Sequence, residues 1–122
     1  MPDKIKSFTD LIAWQESHQL ILQTYKLSKN FHKEETFSLT SQIRRAAISI
    51  ASNIAEGFSR GTSKDKNQFY HTALGSLAEL QSQLLVARDL GYLMRSEFSE
   101  VAKQSVVVRR LISGLLKSSQ SY

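Results

Sequence analysis

The chain has no cysteine, one proline (Pro2) and five glycines among 122 residues. The missing cysteine excludes disulfides, thiolate metal sites and thiol catalysis, and it is compatible with a reducing compartment. With so few glycines and prolines, little breaks a helix once it has begun. Strand signals are equally scarce, because Val, Ile and Thr seldom alternate with polar residues. No apolar run approaches the roughly 18–20 residues that span a bilayer. The amino-terminal MPDKIKSFTD carries charge but no signal-peptide core follows it. A cytoplasmic location without a membrane partner is expected. No internal repeat or low-complexity tract occurs, so residues 1–122 read as a single domain.

What is present is helical periodicity. Apolar residues recur at three- and four-residue spacing over about 10–28, 39–60, 63–90 and 96–117. The first helix is expected to take its cap from Thr9 or Asp10 and to bury Leu11, Trp14, His18, Ile21 and Tyr25. Lys29 to Phe37 breaks the period and reads as a polar loop. The second helix opens near Ser38 or Thr40, carries the spine Ile43, Ala47, Ile50, Ile54 and Phe58, and stops at Gly61. Thr62 or Ser63 caps the third, whose face is Phe69, Ala73, Leu77, Leu80, Leu84 and Ala87. Ser96 opens the fourth, with Phe98, Val101, Ser105, Val108, Ile112 and Leu115 inward and fraying expected from Ser118. Four such helices with short connections predict an all-α, antiparallel up-down-up-down four-helix bundle.

Beside the spine of the second helix runs a stripe of small and polar residues, Ala46, Ser49, Asn53 and Gly57, suited to close backbone approach. A turn near Thr62 sets Ser49 opposite Gly75 or Ser76, Asn53 near His71, Ala46 opposite Ala78 and Arg45 opposite Glu79. A turn near Leu93 and Met94 sets Glu79 opposite Arg109 and Arg88 opposite Glu100. Glu79 then has two arginines within reach, in a cluster that is either buried or exposed. Mid-helix Gly57 and Gly75 each cost about 1 kcal/mol relative to alanine, so each calls for a packing reason.

Catalytic signatures are scarce in the chain. There is no E-x-x-H, Walker loop, G-x-G-x-x-G or G-x-S-x-G. His18, His32 and His71 stand on or after different helices, and no metal or cofactor is expected. Ser49 lacks an obvious base. Glu56 is the one carboxylate beside the small stripe, and a helix-end bond to a neighbour suits it better than catalysis. An enzyme built on Glu56 and His71 would need a convergent pocket.

The charge is +5, from 16 basic and 11 acidic residues, with a pI near 9.6. In an up-down bundle Lys4, Lys6, Arg60, Lys64, Lys66, Arg110 and Lys117 gather toward one end. Lys26, Lys29, Lys33, Arg44 and Arg95 gather toward the other. Asp3, Glu34, Glu35 and Glu97 dilute both. Such ends suit phosphate contacts without sequence readout; an exposed aromatic platform for single-strand bases is not evident. Surplus apolar residues, namely Ile12, Leu20, Leu22, Leu27, Ile48, Val106, Val107 and Leu111, predict a second apolar band and hence self-association.

The segments DLIAWQESHQLILQTYKL, LTSQIRRAAISIASNIAEGFSRGTSKD, FYHTALGSLAELQSQL and DLGYL resemble the four-helix-bundle family encoded in intervening sequences of bacterial 23S rRNA genes, often labelled S23 ribosomal protein. The resemblance covers about residues 8–93. It implies a homopentamer without established catalytic activity. Arg44, Arg45, Ser49, Asn53, Glu56, Gly57, Gly75, Ser76 and Glu79 match its motif positions. The chain is also similar to the accessory protein of diversity-generating retroelements, a basic pentameric barrel that associates with nucleic acid and a reverse transcriptase. Phe31-His32 departs from a Phe-Pro pair common in relatives. The resemblance and the charge together imply a non-enzymatic oligomer that binds RNA or DNA. The alternative is a protein-interaction scaffold presenting its surface to a partner such as a polymerase.

Overall fold

The computed structural model describes residues 4–120, with side chains through residue 118. Asp3 and Tyr122 lie outside the described residues. Four helices carry the fold: Ile12–Ser28 (α1), Leu39–Ser59 (α2), Ser63–Asp89 (α3) and Arg95–Gln120 (α4). No strand occurs among the described residues, and none of these helices is long and apolar enough to cross a membrane.

Neighbouring helices run antiparallel. Ser49 on α2 meets Ser76 on α3, while Phe58 further along α2 meets Lys66 near the start of α3. On the closing side, Glu16 near the start of α1 meets Gln104 on α4, and Leu27 near its end lies beside Glu97 and Val101. The packing order around the bundle is therefore α1, α2, α3, α4.

Several helix ends differ from expectation. Asp10 belongs to a 3-10 turn, Phe8–Asp10, that precedes α1. Ser7 Oγ accepts from the Thr9 N–H, and the Asp10 carboxylate accepts from the N–H groups of Lys6 and Ser7. This capping box serves the turn, while α1 itself starts after Leu11 without a side-chain cap. At α3 the expected cap forms, with Thr62 Oγ1 accepting from the Asp65 N–H. The start of α4, expected at Ser96, lies one residue earlier. The helix begins at Arg95, and Glu97 reaches back to accept from the Met94 N–H at 2.9 Å. The expected fraying from Ser118 is absent as far as Gln120, where α4 ends. Gly91 alone among the described residues has a positive φ, +81°, which a glycine adopts at low cost. It terminates α3 as the N–H of Tyr92 turns back to the carbonyl of Ala87 at 3.0 Å.

The core confirms the α2 spine. Ile43, Ala47, Ile50 and Ile54 are fully buried, and Phe58 is half-buried at the end. On α3 the buried ring is Tyr70 rather than Phe69, and on α4 the last buried leucine is Leu116 rather than Leu115.

On α1 the buried face is turned by about one residue. Ala13, Ser17, Leu20, Thr24, Leu27 and Ser28 face inward, while Trp14, His18, Ile21 and Tyr25 are half-exposed. The physical reason is hydroxyl self-satisfaction. Ser17, Thr24 and Ser28 donate to the carbonyls of Ala13, Leu20 and Thr24, each at 2.7 Å, so these hydroxyls enter the core without an unpaired donor. Leu20 and Leu27, expected on the second apolar band, are core residues. Ile12, Leu22, Ile48 and Val107 of that band are exposed, and Val106 and Leu111 are half-buried.

Candidate nucleic-acid interface

Of the basic residues expected at one end, Lys66 lines a depression there, beside the neighbours of Lys4, Lys6, Arg60, Lys64 and Lys117. Ile5, Phe58, Gly61, Ser63, Lys66, Leu115 and Ser118 line one depression, which brings the segment of Lys4 and Lys6 to the end of α2, the start of α3 and the end of α4. Lys4, Lys6, Lys64, Arg110 and Lys117 are exposed. Two others are committed to the fold. The Lys66 ammonium donates to the carbonyls of Phe58 at 2.7 Å and Gly57 at 3.4 Å. It therefore closes the C-terminus of α2, the work expected of Gly61. Arg60 bonds Glu56 at 3.1 Å and lies 4.6 Å from the centroid of the Phe69 ring. That pair gives Glu56 the helix-end role expected of it.

At the opposite end Arg44 closes α1 in the same manner. Its Nε donates to Ser28 Oγ at 2.9 Å, its Nη2 donates to the Tyr25 carbonyl at 3.5 Å, and its guanidinium lies 4.6 Å from the Tyr25 ring centroid. The loop expected to be polar is pinned there. Phe31 is buried against Tyr92, and the Tyr92 hydroxyl donates to Glu35 at 2.9 Å. Ser38 Oγ donates to the other oxygen of Glu35 at 2.7 Å.

Hydrogen bonds from Ser38 and then Tyr92 hold the Glu35 carboxyl below its ordinary range. The same bond to Glu35, with burial behind it, holds the Tyr92 phenol above its own. Glu35 thus contributes stability in full above the ordinary carboxylate pKa, and the contribution fades as pH falls through the lowered value. Glu35→Gln is expected to flatten the acid limb of a melting-temperature profile. An acid limb identical to that of the unsubstituted protein would show that Glu35 is not linked to folding.

Several motif residues make contacts within the fold. Ser49 and Ser76 hydroxyls meet at 2.8 Å, as the register predicts. Asn53 donates to the Ser49 carbonyl at 2.8 Å and its hydroxyl at 3.1 Å rather than reaching His71. Gly57 packs beneath Tyr70, whose phenol burial pushes above its ordinary range. Gly75 meets nothing within 4 Å of where a Cβ would stand, so the subunit itself gives no packing reason for it. Ala78, expected against Ala46, is exposed.

The expected ion cluster does not form. Arg45, Glu79 and Arg109 are all exposed; Glu79 accepts from Gln83 and pairs with neither arginine. Arg88 bonds Asp89 at 2.9 Å and lies over Phe98, not against Glu100. At the surface, water solvates these groups as well as a partner does, and ordering two long side chains costs entropy.

No group of three or more His, Asp or Glu side chains among the described residues is placed to hold a metal. His18 stacks on Trp14 at 5.0 Å, His32 lies against Tyr92, and His71 is exposed, so the histidines do not converge.

One feature escaped the sequence reading. Lys103, Arg110 and Lys117 are exposed and recur every seven residues, which aligns them on the outer face of α4. Residues 101–122 contain no Asp or Glu. Grouping cations by bundle end took in Arg110 and Lys117 and left out Lys103; the seven-residue spacing was the available signal.

No curated protein matches the chain. A solved protein of unknown function from the S23 ribosomal protein family of Bacteroides thetaiotaomicron VPI-5482 is similar to it, at 20% identity and a TM-score of 0.80. The match covers 87% of this chain and 99% of that one, and at this identity it shows the fold. The sequence profile of the 23S rRNA-intervening sequence protein matches residues 9–114, which takes in all of α1, α2 and α3 and most of α4. The chain therefore belongs to the 23S rRNA-intervening sequence protein family.

Proposed function

We propose that this protein is a non-enzymatic, self-assembling four-helix bundle of the cytoplasm that binds RNA or another nucleic acid through its phosphates. The observation that carries the reading is the cation row on α4, Lys103, Arg110 and Lys117, with no acidic residue after Glu100. Lys4, Lys6 and Lys64 extend the basic surface around the adjoining end. The half-exposed and exposed apolar residues Ile12, Ile21 and Leu22 of α1 support self-association. A homopentamer is the form implied by the family resemblance.

Counterion release sets the test. Three phosphate contacts give a slope of log affinity on log salt of roughly −2 to −3, or a loss of about 20–40-fold between 50 and 200 mM. Fluorescence anisotropy with labelled RNA, on samples sized by light scattering, is expected to show this loss. Absence of binding at low salt, or binding indifferent to salt, would sink the nucleic-acid part. A monomer at micromolar concentration would sink the assembly part.

A second reading, a scaffold for a protein such as a polymerase, is favoured by Phe37, which is 95% exposed, with Met94 and Leu90 also exposed near the same end. Binding of a purified polymerase that survives nuclease and is lost in Phe37→Ser supports it. Binding abolished by nuclease returns the contact to nucleic acid.

A further inference from the structure

Between α1 and α2 lies a groove used by neither the core nor the cation row. Tyr25 forms one wall, and Ser41, Arg44, Arg45, Ile48 and Ser49 form the other. We infer that this groove is a phosphate-binding site, in which Arg45, Arg44 and the Ser41 hydroxyl grip a phosphate of a nucleotide or nucleic-acid strand. The inference rests on the nucleic-acid reading and gives it a second, more specific place on the surface.

Arg44 is pre-organised. Stacking on Tyr25 and bonding to Ser28 fix its guanidinium plane, yet its two bonds use only two of the five donors an arginine carries. Arg45 is exposed and has neither an ion pair nor a hydrogen-bond partner among the described residues. Ser41 is half-buried and its hydroxyl is likewise unpartnered. Ser49 Oγ is already engaged with Ser76 and Asn53, and it lines the groove beside Arg45.

The surroundings favour an anion. The chain has no Asp or Glu between Glu35 and Glu56. The carboxylate nearest by register is Glu79 on α3, which bonds Gln83 and leaves Arg45 unpaired. Ile48 and Tyr25 supply apolar surface beside the cations, where a lowered dielectric strengthens a charge-assisted bond and a sugar or base finds contact. Planar guanidinium groups match phosphate oxygens in pairs, which a lysine does not.

The probe is a fluorescein-labelled single-stranded RNA of mixed sequence, read by anisotropy, with adenosine monophosphate as competitor. Arg45→Gln, with its melting temperature checked, is expected to weaken binding about tenfold and to reduce the salt slope by about one. Arg45→Lys is expected to fall between, because it keeps the charge and loses the paired geometry. Competition by the mononucleotide that is abolished in Arg45→Gln assigns the groove to a phosphate monoester. Its absence, with Arg45→Gln still weakened, assigns it to a phosphate within a strand. Unchanged affinity and slope in Arg45→Gln, beside weakened binding in Lys103→Gln/Arg110→Gln, overturns the groove and leaves the nucleic-acid reading standing. No binding by the unsubstituted protein at about 50 mM salt overturns both.

Discussion

Leu20→Ala is expected to lower stability by about 2–5 kcal/mol, whereas Ile21→Ala, one residue along, is expected to cost about 1 kcal/mol or less. Leu20 is 0% exposed in the centre of the bundle, so its truncation leaves a cavity that packed neighbours fill only in part. Ile21 is half-buried at the margin of the core, where water can occupy the space. Chemical denaturation of the two variants reads the difference directly. Equal losses, or a larger one for Ile21, would mean that α1 presents the other face to the core.

Gly57→Ala is expected to destabilise by up to about 2 kcal/mol even though alanine is the better helix former. A Cβ at Gly57 would stand 2.5 Å from Cε1 and 2.8 Å from Cδ1 of Tyr70, and 3.2 Å from the carbonyl oxygen of Lys66. Tyr70 is only 3% exposed, so its ring cannot swing into solvent to make room. Overpacking of this kind costs roughly 1–3 kcal/mol, against the ~1 kcal/mol that alanine gains in helix propensity. Gly75→Ala carries the opposite sign. Nothing lies within 4 Å of its Cβ position, so a gain of about 0.5–1 kcal/mol is expected in the isolated subunit. Thermal melts that move both variants in the same direction would remove the Tyr70 contact as the cause at Gly57.

The legible parts of the fold were those in which hydrophobicity and burial coincide. On α2, Ile43, Ile50 and Ile54 are apolar, unbranched by competing roles and fully buried, and the antiparallel register then found Ser76 opposite Ser49. On α1 the same logic pointed to Trp14 and Tyr25, because it counts aromatic rings as core and serines as surface. The bundle does the reverse there, since a serine that bonds its own helix is small and satisfied while a ring can serve a rim contact. The basic ends were legible as groups but not as functions. Lys66 and Arg44 carry the same charge as Lys64 and Arg45, and only coordinates reveal that the first pair closes helix ends. The Arg45–Glu79 pairing failed because register fixes which residues face one another, not whether two solvated charges join.

The seven-residue repeat of Lys103, Arg110 and Lys117 has a consequence at the scale of an assembly. A rise of about 1.5 Å per residue spaces these cations some 10 Å apart, as a straight rail of about 21 Å. In the closed ring proposed for this protein the rail would be copied once per subunit, at fixed separations. A strand held weakly on one rail would then meet the next at an effective concentration far above that in bulk, so binding would strengthen with the number of rails engaged and not with any new contact. Under that proposal affinity would be a property of the ring's integrity: dissociating the subunits would release the strand without altering a single side chain.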